Sequence, residues 1–172
     1  MMVKILGAML VILACSGAGY LIALEFVNRT KQIRQLQNAL LYMETEIMYG
    51  YTPLNDLMKK ISQRENGPIS HFFLAVAEEL ETMEKSFQHC WQTAIDKRWK
   101  YTSLKEKERQ IMLQLGSILG MSDRENQQKH IRIALSHMQA EEKEAYDAQT
   151  KYEKMSRTLG ILTGILLVLL MF

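Results

Sequence analysis

KQIRQLQNALLYMETEIMYGYTPL, residues 31–54, decides how this chain folds. Ile33, Leu36, Leu40, Met43 and Ile47 recur at intervals of three and four. On a helix with 3.6 residues per turn these positions form one apolar stripe, with the polar residues between them turned elsewhere. Gly50 marks the end of the stripe, since a residue lacking Cβ closes helices readily. Thr52-Pro53 then reads as an N-cap followed by proline in the first turn of a new helix. A helix, a stop and a fresh start within one short stretch set the class as all-α.

The same period continues outward. A short helix carries Leu54, Leu57, Met58 and Ile61, and Glu65-Asn66-Gly67-Pro68 breaks it. A third helix starts near Pro68 and is expected to bury Phe72, Phe73, Val76, Leu80 and Met83. A fourth, from about Ser86 to Trp99, offers Phe87, Cys90, Trp91, Ala94 and Ile95. Ser103 and Glu106 form a capping-box pattern before a fifth helix through Ile111, Leu115 and Leu119, closed by Gly120, and Ser122 and Glu125 repeat the pattern. The last helix is the longest: Ile131, Leu135, Met138, Ala145, Tyr152 and Leu159 keep a spacing near seven and its halves. The expected architecture is an antiparallel helical bundle of about six helices, with the first and last side by side and the shorter ones packed across their far ends.

Both ends of the chain are apolar. Ile5–Leu24 (ILGAMLVILACSGAGYLIAL) is twenty residues without a charge, which as a helix matches the roughly 30 Å hydrocarbon core of a bilayer. Leu159–Phe172 (LGILTGILLVLLMF) is fourteen uncharged residues, short of the roughly twenty that a full crossing needs. A cleaved signal, or a lipoprotein box ending at Cys15, is the rival reading of the first run. The leucine at 13 fits such a box poorly, and the apolar run resumes after Cys15. Arg29, Lys31 and Arg34 follow the first run, Lys151, Lys154 and Arg157 precede the second, and Lys4 alone stands outside. The positive-inside rule therefore puts the middle of the chain in the cytoplasm. The expected organisation is an N-terminal transmembrane anchor over 1–27, a cytoplasmic helical bundle over 28–157 and a C-terminal membrane segment over 158–172.

The totals exclude several function classes. A net charge of +2 over 172 residues provides no strong field for nucleic acid. The two cysteines, Cys15 and Cys90, belong to no C-x-x-C pair, so neither a disulfide framework nor a zinc site is expected. No phosphate loop, nucleophile elbow or H-E-x-x-H motif occurs. His89-Cys90 is a poor thiol-enzyme pair, since neighbouring helical positions point about 100° apart and Cys90 lies on the apolar face. His130 and His137 are two turns apart, too far for one metal ion. The chain reads as a non-enzyme without cofactor or metal.

Two stretches combine core positions with dense polar groups, Lys31–Leu54 and Leu119–His137. Solvated faces beside ordinary helix caps explain such groups as well as a docking surface does. Arg34, Glu44 and Glu46 in the first and Arg124, Gln127, Lys129 and His130 in the second are the candidate partner-binding residues, because arginines and carboxylates set partner choice. IRQLQNAL, ETEIMYGYTPL, LGMSDRENQQKHIRIALSH and the closing KMSRTLGILTGILLVLL resemble the stage III sporulation protein AB family of endospore-forming bacteria. The resemblance spans essentially the whole chain and is weakest over Lys59–Trp99.

The resemblance implies a component of the secretion-like complex that joins mother cell and forespore. It also implies similarity to the cytoplasmic helical domain of F-type platform proteins of type II secretion. Expected partners are stage III sporulation protein AA, a secretion-type ATPase, other membrane proteins of the channel, the lipid bilayer and further copies of the chain. The expected location is the mother-cell membrane, with the bundle in the mother-cell cytoplasm. The mechanism implied is mechanical coupling of the ATPase to what lies in the bilayer. A signalling or regulatory membrane protein, binding partners through its helical domain without a motor, is the alternative that residue patterns leave open.

Overall fold

The computed structural model describes the backbone of residues 2–50, 52–82 and 86–171. Side chains are described within those ranges except at 2–6, 8, 11, 12, 157, 160, 161, 164, 165, 167 and 169–171. The described residues form helices joined by short turns, without a strand. In chain order the helices are α1 (Met2–Thr45), α2 (Leu54–Arg64), α3 (Gly67–Thr82), α4 (Phe87–Arg98), α5 (Glu106–Gly116) and α6 (Arg124–Met171). A π-helical turn, Glu46–Gly50, follows α1, and a 3₁₀ turn, Trp99–Tyr101, follows α4. The chain divides into a terminal unit, Met1–Thr30 with Glu144–Phe172, and a central unit, Lys31–Lys143.

In the central unit the apolar stripe of α1 is the floor of the core: Ile33, Leu36, Leu40 and Met43 are fully buried. Leu57, Met58 and Ile61 of α2 and Ile69, Phe72, Phe73 and Val76 of α3 are buried with them. Leu80 is half-buried, and Met83 lies outside the described residues. Trp91 of α4 centres an aromatic block, with ring centroids 5.1 Å from Phe72, 6.1 Å from Phe73 and 5.5 Å from Phe87. Its buried indole N–H donates to the Met112 carbonyl of α5 at 2.8 Å, so the largest core side chain also satisfies its polar handle. The close approach of α5 requires Gly116, because a Cβ there would run into the Trp91 indole.

The α1 and α6 segments of this unit run antiparallel. Arg34 reaches Glu142 while Glu44, ten residues further along α1, reaches Arg132, ten residues back along α6. The apolar side of α6 supplies Ile131, Leu135 and Met138 to the core.

The helix starts differ from the sequence pattern in three places. Thr52 does not cap α2: Pro53 holds the N-cap position without a side-chain bond, and the Thr52 hydroxyl donates to Glu46 at 2.5 Å. Ser103 does not open α5. Its backbone N–H donates to Gln32 at 2.8 Å, and the helix starts after Lys105, whose N–H is taken by the Glu108 carboxylate at 2.9 Å. Ser122 donates to the Ile118 carbonyl, leaving Asp123 to cap α6 by accepting from the Asn126 N–H at 3.0 Å. Ser86, near which the fourth helix is expected to start, caps α4 by accepting from the His89 N–H at 3.4 Å. α1 itself ends at Thr45, and Gly50 is the last residue of the π-turn that follows, without positive φ; a Cβ there would meet the Glu46 carboxylate. Gly67 and Gly120 are the glycines in the left-handed region, at φ +66° and +81°, and the Gly120 turn sits against Phe87 and Leu54.

In the terminal unit Phe26 stacks on Tyr152, with centroids 5.5 Å apart, and Arg29 pairs with Glu144 at 3.8 Å. Ala23, Thr30 and Ala145 are buried there. Met9, Leu10, Leu13, Leu21, Leu162 and Leu166 are each more than half exposed. Among the described residues no helix is long and apolar enough to cross a membrane. Part of the expected anchor (Ile5, Leu6, Ala8, Val11 and Ile12) and much of the second apolar run lie outside the described side chains.

Candidate docking surface

The polar residues singled out in the sequence fall at three separate places. Arg34 stands on α1 with its guanidinium Nε donating to Glu142 at 2.6 Å, and Gln37 donates to the other oxygen of the same carboxylate at 3.0 Å. These bonds, Arg34 foremost, hold the Glu142 carboxyl below the usual carboxylate range against the opposing effect of burial. Arg34 and Glu142 are thus partners in the α1–α6 seam.

Glu46 faces α2 instead. The Thr52 hydroxyl is its main partner, with Tyr42 next and Lys60 at 3.5 Å, and together they lower its pKa. It ties the π-turn to the start of α2. Glu44 and Glu46 point to different helices, as residues two apart on a helix must.

The third place is the capped end of the central unit, where α1 finishes and α6 starts. Here Glu44 accepts from Gln128 at 2.9 Å and from Arg132 at 2.6 Å. Gln127 turns back to donate to the Ser122 carbonyl at 2.7 Å, fixing the turn before α6. Arg124 and Lys129 are exposed, and His130 is half-buried in a narrow crevice that it shares with His137 and Leu115. Ser122, Asp123, Glu125, Asn126 and Lys129 line a shallow open depression, and a second one continues along α6 to Arg132 and Ile133. The structure therefore brings Glu44, Arg124, Gln127, Lys129 and His130 to one end; Glu46 follows α1 there but is turned toward Thr52 and Lys60, and Arg34 lies ten residues back along α1.

Sequence reasoning missed two apolar side chains at this end. Tyr49 in the π-turn is 77 % exposed, and Met121 in the turn before α6 is 72 % exposed. Both fall outside the stripes that mark the core, and that departure is the signal that could have found them. Large apolar groups set among charges are the composition of a protein-binding patch rather than of a catalytic site. Among the described residues no group of three or more His, Cys, Asp or Glu is placed to hold a metal, and neither cysteine forms a disulfide.

The family model for stage III sporulation protein AB matches residues 4–172. The chain belongs to the stage III sporulation protein AB family. Stage III sporulation protein AB of Bacillus subtilis (strain 168) is 41 % identical over 170 residues, covering 99 % of both chains. A solved structure of stage III sporulation protein AB superposes with a TM-score of 0.69 at 40 % identity, covering 72 % of this chain and 98 % of its own. The resemblance carried by IRQLQNAL and LGMSDRENQQKHIRIALSH thus extends to the full length, and members of the family are named as sporulation proteins.

Proposed function

We propose that this member of the stage III sporulation protein AB family is a membrane platform component of the secretion-like channel between mother cell and forespore. Its central unit docks stage III sporulation protein AA, a secretion-type ATPase, through the capped end, and couples it to the membrane proteins of the channel. The observation that carries this reading is two exposed apolar side chains, Tyr49 in the π-turn after α1 and Met121 in the turn before the charged start of α6. A partner that buried them would gain the hydrophobic contribution, while Arg124 and Lys129 would select a partner of opposite charge.

Membrane attachment is supported by the terminal unit. Exposed leucines and methionines repeated along two helices are not tolerated in water on this scale, and a lipid phase is the solvent that suits them. The basic residues flanking both apolar runs favour the cytoplasmic side for the central unit. α1 and α6 each belong to both units, so they are the elements through which motion of an ATPase would reach the bilayer.

Co-purification of the full-length chain in detergent with stage III sporulation protein AA tests the reading. Met121→Asp and Lys129→Glu, each exposed and outside the core, are expected to reduce recovery of the ATPase about tenfold, a loss on the scale of one interface anchor. Undiminished recovery with both changes in a folded chain would refute docking at this end.

A further inference from the structure

The opposite end of the central unit has a different chemistry. There the two long helices leave the unit at Lys31 and Lys143, and the connection from α4 to α5 crosses between them. That connection is pinned at both sides. The Ser103 N–H donates to Gln32 of α1 at 2.8 Å, and Lys107 pairs with Glu141 of α6 at 3.4 Å. Residues 97–107, KRWKYTSLKEK, hold five bases against one acid, with a tryptophan and a tyrosine among them.

The bases are not used up within the fold. Lys97 pairs with Glu79. Arg98 and Lys105 are exposed and their side chains form no ion pair among the described residues, and Lys100 rests over the exposed Tyr101 ring at 5.1 Å. The nearby carboxylates are engaged: Asp96 and Glu106 both hold Arg109, and Glu142 holds Arg34. Lys31 and Lys143 add two further exposed bases at the same end. The result is a surplus of positive charge around an aromatic side chain that is 64 % exposed.

We infer that this end of the central unit is a second membrane contact, in which Arg98, Lys100 and Lys105 bind anionic phospholipid headgroups and Tyr101 enters the headgroup layer. Basic residues gather at the negative face of a cytoplasmic leaflet, and tyrosine prefers the interface because one end of its ring is apolar and the other polar. The location agrees: Lys31 is only seven residues past Leu24, where the first apolar run ends. An acidic protein partner would need the same charge but not that adjacency. The inference rests on the membrane reading of the apolar runs.

The test uses the full-length chain reconstituted into vesicles, with Tyr101→Trp as the reporter, read as the difference from the unchanged chain, whose Trp91 and Trp99 also fluoresce. One set of vesicles is pure phosphatidylcholine and the other contains one quarter phosphatidylglycerol. Both carry lipid brominated close to the headgroup as a fluorescence quencher. The expected result is at least twofold stronger quenching in the anionic vesicles, lost at about 0.5 M salt as screening requires and lost when Arg98, Lys100 and Lys105 are changed to Gln.

Equal quenching in the two lipids, or quenching indifferent to the three changes, would overturn the inference and leave an acidic protein as the occupant of the patch. Flotation separates the two levels of the reading. A chain that floats with neutral and anionic vesicles alike but shows no charge-dependent quenching defeats this contact alone. A chain that floats with neither defeats the membrane anchors and this contact together.

Discussion

Two regions of the central unit are held together by opposite means. In the block of α3, α4 and α5, Trp91 is enclosed by Phe72, Phe73 and Phe87, its one polar atom is satisfied, and Gly116 leaves no room to spare. Along the α1–α6 seam, apolar stripes are bordered by carboxylates that reach across to bases and amides: Glu142 to Arg34 and Gln37, Glu44 to Arg132 and Gln128. The block is specified by shape and the seam by charge register. Close-packed shape tolerates almost no change, whereas half-exposed ion pairs contribute little each but fix which residues lie opposite one another.

Breaking the block should produce the largest effect. Trp91→Ala removes the centre of the aromatic cluster and should cost about 3–5 kcal/mol in chemical denaturation, enough to unfold a marginal domain. Gly116→Ala attacks the same contact from the other side, and overpacking against the indole should cost about 1–3 kcal/mol. If either variant unfolds at the wild-type midpoint, the block is not the keystone of the unit.

The seam should respond more weakly and with a pH signature. Glu142→Gln should cost about 0.5–1 kcal/mol at neutral pH, discounted because Arg34 is more than half exposed. The folded pKa of Glu142 lies below its ordinary value of 4.5, so its contribution is full above that pH and is lost as pH falls through the lower folded value. The gap between wild type and Glu142→Gln should therefore shrink below about pH 4.5, while the Trp91→Ala deficit persists. A gap that stays constant with pH would remove charge from the account of the seam.

The smallest effect sharpens the comparison between the two tryptophans. The Trp99 indole N–H is buried with no acceptor among the described residues, unlike that of Trp91. Trp99→Phe removes an unsatisfied donor and should leave the thermal midpoint unchanged or slightly raised, since an unpaired buried polar group costs about 1–3 kcal/mol. A clear loss of stability would show that the lost packing of the larger ring outweighs relief of the unpaired donor.

Much of the fold was legible because burial leaves a period in the sequence. Ile33, Leu36, Leu40 and Met43 mark the inner face of α1, Ile47 continues it in the π-turn, and all are buried. Helix starts were less legible, since a hydroxyl near a start is competent to cap but goes wherever a better partner stands. Thr52 was drawn to Glu46, the Ser103 backbone to Gln32 and the Ser122 hydroxyl to Ile118. The candidate surface was legible only as two polar stretches. Glu44 meets Arg132 across 88 residues of chain and Arg34 meets Glu142 across 108, separations that no local pattern records. Once those pairs are made, Arg34 and Glu44 belong to the seam, and the exposed Tyr49 and Met121 are the apolar groups that the proposed docking would use.

The most direct test of docking at the capped end places a photo-cross-linking amino acid at Met121, or at Tyr101 at the opposite end, in the full-length chain with stage III sporulation protein AA present in membranes. An ATPase adduct from position 121 and none from position 101 is the expected result. An adduct from position 101 alone, or from neither position, would contradict it.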